Sequence, residues 1–258
     1  MNNSINLSTN ASNPNNINNI NPSDPTQNKP HNLTITTINA NISLKKHISQ
    51  YIKFINKNKI DIMAIQEPGV LMSMNYSPPL SVDLNTHHEL KQSNLSTITK
   101  LNKSNPRYSL IFIIQNSLIP FIKIVKSRKT GIQIITLTAP YNLKIINSYL
   151  QHNINVREVT VTKLSKIIKG TNDHENLMIL GDMNSIINQE LDYFSPLNKK
   201  YQSKKFSVKD LLNLKMVDSY RVTNPTKKSF TRWNIIEKKM MKHILQHPEL
   251  ITFWYQNT

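Results

Sequence analysis

Cysteine is absent from all 258 residues, which excludes disulfides and any cysteine-ligated zinc site. That absence suits an intracellular protein of the nucleus or the cytoplasm. No apolar run follows a basic start, so nothing reads as a secretory signal. Long hydrophobic runs are missing too. The richest, Leu110 to Val125, is interrupted by Gln115, Asn116, Ser117, Pro120 and Lys123. It is too short and too polar to cross a bilayer, so no membrane partner is expected. Acidic residues are scarce: 15 Asp and Glu face 32 Lys and Arg, for a net charge of +17. A surplus of that sign and size points to a polyanionic partner, nucleic acid before anionic membrane. A chain dominated by Asn, Ile and Lys would also carry many lysines on a merely solvated surface.

Residues 1–32 are rich in Asn, Ser and Pro and nearly devoid of charge and aromatics. Such a segment cannot offset the entropy of ordering and is expected to be a disordered arm. The folded domain is expected over 33–233, followed by a helical tail over 234–258. Leu33 to Ile38 and Ile60 to Ile65 read as strands, as do 109–114, 119–125, 132–138, 143–149 and the apolar Leu177 to Leu180. Ser43 is expected to cap a helix with Ile48, Ile52 and Ile55 on one face. A second helix reads at 156–169, stopped by Gly170. A third spans 207–215 behind a Ser207/Asp210 capping box. The last, 235–247, carries Met240, Met241, Ile244 and Leu245 and is stopped by Pro248. Strands outnumber helices and both kinds recur, which suits two packed sheets flanked by helices.

Several polar residues sit just beyond apolar strands, where α/β proteins place reactive groups. Leu180-Gly-Asp182-Met-Asn184 gives a glycine, a carboxylate and a carboxamide in order; alone, this is also a common turn. Asp61-Ile-Met-Ala-Ile-Gln66-Glu67 ends a strand in a carboxylate suited to a hard cation such as Mg²⁺. Asn39 follows the first strand, and its amide oxygen could orient Glu67 or a metal-bound water.

Taken together, the chain from Leu33 to about Trp233 resembles the endonuclease/exonuclease/phosphatase superfamily. It looks closest to the apurinic-type endonuclease domain of non-LTR retrotransposons. Thr-Ile-Asn39, the Gln66-Glu67 strand, Ile145-Ile-Asn-Ser-Tyr149, Gly181-Asp-Met-Asn184, Asp192, and Val217-Asp-Ser-Tyr-Arg221 with Asn224-Pro225 and Phe230-Thr231 resemble family motifs in the correct order. The resemblance implies a deoxyribonuclease I-like α-β-β-α sandwich that brings Asn39, Glu67, Tyr149, Asp182 and Asn184 to one edge. It further implies Mg²⁺ or Mn²⁺ at Glu67 and Asn39, Asp182 as the base that activates water, and Asn184 and Tyr149 as donors to the phosphate.

The family's closing Ser-Arg-Ile-Asp and Ser-Asp-His motifs are absent. The residues after Thr231 read as helix, so the sandwich is expected to lack its closing strands and the chain to show little or no nuclease activity. His243 and His247 share a helix face, but plain surface residues suit them better than a metal pair. His87-His88 reads as solvated, and His152 does not occupy the catalytic histidine's position. Between Lys199 and Lys242 thirteen Lys and Arg face three Asp and Glu. Lys204, Lys205, Arg221, Lys227, Lys228 and Arg232, interleaved with aromatics, are candidate contacts to a phosphate backbone. Three functions stay open: a metal-dependent endonuclease acting on DNA, an inactive remnant that binds nucleic acid, and a phosphatase of lipid or inositol phosphates.

Overall fold

The computed structural model describes residues 32–41, 44–69, 90, 92–100, 109–128, 131–172, 176–192, 205–214, 216–228 and 254–256. The N-terminal arm up to residue 31, the Ser43 cap, the 235–247 helix, His87-His88, His243 and His247 lie outside the described residues.

The strands are β1 (Ile35–Asn39), β2 (Ile62–Gln66), β3 (Leu95–Lys100), β4 (Leu110–Gln115), β5 (Ile122–Arg128), β6 (Ile132–Leu137), β7 (Leu143–Tyr149), β8 (Asn176–Asp182), β9 (Val217–Asp218) and β10 (Trp254–Gln256). Among the described residues they form two sheets of four and six strands, ordered β1-β2-β4-β3 and β5-β6-β7-β8-β10-β9. Among the described residues only β1/β2 and β7/β8 pair in parallel; the other ladders described are antiparallel. A parallel pair needs a crossover. Helix α1 (Ile48–Lys57) connects β1 to β2, and α2 (Ile154–Lys169) connects β7 to β8. Short helices follow: α3 (Gln189–Asp192), α4 (Val208–Leu212) and α5 (Ser219–Thr223).

Side-chain alternation along the strands sorts the apolar residues into layers. Met63, Ile65, Ile111 and Ile113 face α1, meeting Ile48, Tyr51, Ile52 and Ile55. Ile62, Ala64, Phe112 and Ile114 face the second sheet and meet Ile135, Leu137, Ile145 and Leu180. On the far side, Ile134, Ile146, Leu177 and Ile179 pack beneath α2 and α4 through Leu164, Ile168, Val208 and Leu211. The result is the expected α-β-β-α sandwich. Each fully buried Ile or Leu contributes roughly 1.5–3 kcal/mol.

Local signals hold where the chemistry is local. Asn153 caps α2 by accepting from the Asn155 and Val156 amides, and the helix ends at Gly170. The Ser207/Asp210 capping box is formed. Other expectations shift. α1 begins at Ile48, after a 3-10 turn, with no side-chain cap. Residues 116–121 form a 3-10 turn containing Pro120. Proline cannot donate to a ladder, so β5 starts later than expected. β3 is a strand that periodicity does not show: its buried residues Leu95 and Ile98 lie three apart and fit no alternation. The largest correction concerns the end of the chain. Residues 254–256, expected as helical tail, form β10, which lies antiparallel between β8 and β9. Where the sandwich was expected to lack its closing strands, β10 thus covers an edge of β8.

Candidate functional site

Both parallel pairs end at the same place. Asn39 follows Thr37 on the inward side of β1, and Asp182 follows Leu180 on the inward side of β8. One atom joins them: Asn39 Nδ2 donates to Asp182 Oδ2 at 2.8 Å and to Glu67 Oε1 at 3.3 Å. A single nitrogen that serves both carboxylates holds those two oxygens within about 6 Å of each other. The Asn39 oxygen faces elsewhere and accepts from the Asn41 amide at 2.8 Å. So the nitrogen of Asn39, rather than its oxygen, orients Glu67.

Glu67 reaches this position through its backbone. Gln66 points inward, so a continued strand would send Glu67 outward. Glu67 instead has φ +46°, and its side chain is buried against the Asn39 amide. Asp182 is held at both oxygens, because its Oδ1 accepts from the Asn184 backbone amide at 2.9 Å. Asn184 is also left-handed, at φ +44°, and its Nδ2 donates to the Leu150 carbonyl at 3.0 Å. Tyr149 stands opposite Asp182 in the β7/β8 register, on the same sheet face, and is 3% exposed. The glycine of the motif is required by packing. At Gly181, with φ +135°, a Cβ would lie 1.8 Å from the Ser148 carbonyl oxygen.

Beneath the site lies a buried polar link between the two sheets. Gln66 and Asn147 are 1% and 0% exposed, and they bond across the two sheets: Gln66 Nε2 donates to Asn147 Oδ1 at 2.6 Å. Asn147 Nδ2 reaches the Ile65 and Ile111 carbonyls at 3.2 and 3.1 Å. Gln66 also donates to Thr37 Oγ1 at 2.9 Å. The link stands one residue before Glu67 and two before Tyr149, and fixes one sheet's reactive end against the other's. In sequence these residues look like any polar position of a strand.

The basic candidates divide. Lys205, Lys227 and Lys228 are exposed, whereas Lys204 and Arg232 lie outside the described residues. Arg221 is committed to the fold. Its Nη2 pairs with Asp192, its Nη1 donates to the Asn224 and Lys227 carbonyls, and the guanidinium lies 5.3 Å from the Tyr220 ring centroid. Asp192 thus ties α3 to α5. Beside this pair, Asp218 caps α5 by accepting from the Arg221 amide at 3.2 Å. Burial, aided by the Asp192 charge, raises the Asp218 carboxyl above its ordinary value, against the opposing pull of Arg221.

No family model matches this chain, and no curated protein matches it in sequence. Solved structures do match in fold. An AP endonuclease from Archaeoglobus fulgidus superposes with a TM-score of 0.61 at 14% identity, covering 87% of both chains. The AP endonuclease LMAP from Leishmania major gives 0.61 at 11% identity, over 87% of this chain and 79% of that one. A humanized D. rerio TDP2 gives 0.53 at 11% identity, over 88% and 84%. At these identities the likeness establishes a shared deoxyribonuclease I-like fold.

Proposed function

We propose that this chain is a metal-dependent phosphodiesterase of slow turnover that acts on nucleic acid, DNA foremost. Its sequence motifs favour the apurinic-type endonuclease of non-LTR retrotransposons as the nearest kind. One observation carries the reading: Asn39 Nδ2 bridges Glu67 and Asp182, which are 115 residues apart in sequence. Both carboxylates sit at the ends of parallel pairs from different sheets.

The donor chemistry suits Mg²⁺ or Mn²⁺, which take one or two carboxylate oxygens and complete their shell with water and phosphate. Glu67 would hold the ion, with Asn39 keeping its carboxylate in place. When bound, the ion supplies Lewis-acid neutralisation of charge on the scissile phosphate. Among the described residues no three His, Cys, Asp or Glu side chains cluster into a metal cage, so the phosphate itself would complete the coordination. Asp182, held by Asn39 and by the Asn184 amide, would accept a proton from an attacking water. Asn184 and Tyr149 are the donors proposed for a phosphate oxygen. Exposed Lys205, Lys227 and Lys228 would meet the flanking backbone, and Lys204 and Arg232 are proposed as further contacts from the sequence alone. No helix among the described residues is long and apolar enough to cross a membrane.

A second reading, a non-catalytic nucleic-acid binder, is favoured by one sequence observation: the Ser-Arg-Ile-Asp and Ser-Asp-His motifs are absent. Losing one preorganised electrostatic group typically costs about 10²–10³ in rate. A plasmid-nicking assay with Mg²⁺ separates the two. The enzyme reading expects slow nicking that falls about tenfold or more in Asp182→Ala and in Glu67→Gln. Nicking indifferent to both substitutions would overturn the site. DNA binding without any nicking would establish the second reading.

A further inference from the structure

Arg157 has the most deeply buried charge among the described side chains, at 0% exposure, in the first turns of α2. Its Nε donates to the Phe206 carbonyl at 2.7 Å. Nη1 reaches the Leu150 and Gln151 carbonyls at 3.4 and 3.3 Å. Nη2 reaches the Met183 and Asn184 carbonyls at 2.9 and 3.2 Å and also bonds Ser185 Oγ. One guanidinium therefore ties together the exit of β7, the exit of β8 and the approach to α4. Two of its acceptors, Asn184 and Phe206, are left-handed residues with φ +44° and +53°. Such backbone persists only where its surroundings over-determine it, and here the guanidinium holds both carbonyls.

The same contacts lead to the candidate site. The Asn184 amide donates to Asp182 Oδ1, the Asn184 side chain shares the Leu150 carbonyl with Arg157, and the Leu150 amide donates to the Asp182 carbonyl at 2.9 Å. We propose that Arg157 is a positioning residue: by clamping the 183–185 turn against 150–151 it sets the orientation of the Asp182 carboxylate and the Asn184 amide. Burying a cation is costly unless it is fully hydrogen-bonded. A guanidinium offers five N–H donors in a rigid fork, which suits five carbonyls and a hydroxyl better than an ammonium does. This inference rests on the reading of Asp182 and Asn184 as site residues.

The test uses the full chain with Arg157→Met, Arg157→Lys and Arg157→Ala, amide hydrogen exchange, and Mn²⁺ titration. In Arg157→Met, exchange at Leu150 and Asn184 should rise about tenfold or more, while Ile111 and Ile113 in the other sheet stay unchanged. Mn²⁺ affinity should fall about tenfold, in line with the loss of a group that supports a ligand's orientation. Arg157→Lys should fall between, because an ammonium reaches fewer carbonyls. Millimolar ethylguanidinium should restore local protection in Arg157→Ala. Faster exchange throughout both sheets, or loss of folding in all three variants, would overturn the proposal by making Arg157 a general core residue. Unchanged exchange at Leu150 and Asn184 would overturn it equally. A wild-type chain that binds no Mn²⁺ would sink the phosphodiesterase reading, while the exchange pattern would still decide the role of Arg157.

Discussion

Glu67 and Asn184 carry left-handed backbone at φ +46° and +44°, a conformation that costs a residue about 1–3 kcal/mol. Glu67 thereby turns its carboxylate, and Asn184 its backbone amide, toward the Asn39–Asp182 contact; for Glu67, strict alternation would have aimed the side chain outward. Asp218 shows a different tension. It accepts a capping bond from the Arg221 amide, yet burial first, and the Asp192 charge with it, raises its carboxyl above the usual range. A raised carboxyl favours the folded state most at low pH, below its unfolded value, and that contribution is lost as pH rises through the folded value. Asp218→Asn keeps a capping oxygen and removes the titration. Its melting temperature relative to wild type should therefore increase as pH climbs through and above the carboxylate range. A difference that stays flat from acid to neutral pH would show that Asp218 is not destabilised by its charge.

Among the elements, the sheets differ in how plainly they announce themselves. β7 has its observed bounds in the sequence, because Leu143, Ile145, Ile146 and Tyr149 supply the apolar and β-branched residues of a buried strand. β3 does not, because an edge strand needs few apolar residues. The bond between Gln66 and Asn147 belongs to this scale, since it joins one sheet to the other at the level of the site. Asn147→Leu keeps the volume but removes the Asn147 bonds to the Ile65 and Ile111 carbonyls and to the Gln66 amide. Losing these buried bonds should cost roughly 2–4 kcal/mol, read as a shift in the denaturant midpoint. A loss below about 0.5 kcal/mol would mean that the link contributes little. Asn39, Glu67, Tyr149, Asp182 and Asn184 stood out as candidates in the sequence because each follows or ends an apolar strand. Arg157 was not: a lone arginine in an amphipathic helix looks solvated, and only the loops that close over it reveal the burial. Nor was β10 legible, since its three residues pair with β8 and β9 across long sequence separations that no local pattern encodes.

For the whole molecule, the charge of +17 should make itself felt through counterion release. Binding to DNA or RNA of any sequence should weaken about tenfold or more between 50 and 200 mM salt if several lysines meet phosphates; fluorescence anisotropy on a short duplex measures this. An affinity indifferent to salt would rule out the electrostatic mode and leave Lys205, Lys227 and Lys228 as solvated surface. The fold can also be considered along the order of synthesis. β10 lies between β8 and β9, yet residue 254 leaves the ribosome well after residues 182 and 218. At roughly 5–20 residues per second, β8 waits several seconds with the edge at Leu177, Met178 and Ile179 unpaired, and β9 has no strand to join. The site's scaffold is therefore among the last parts of the protein to acquire its neighbours, and a nascent chain presents a basic surface to nucleic acid before it presents a finished sheet.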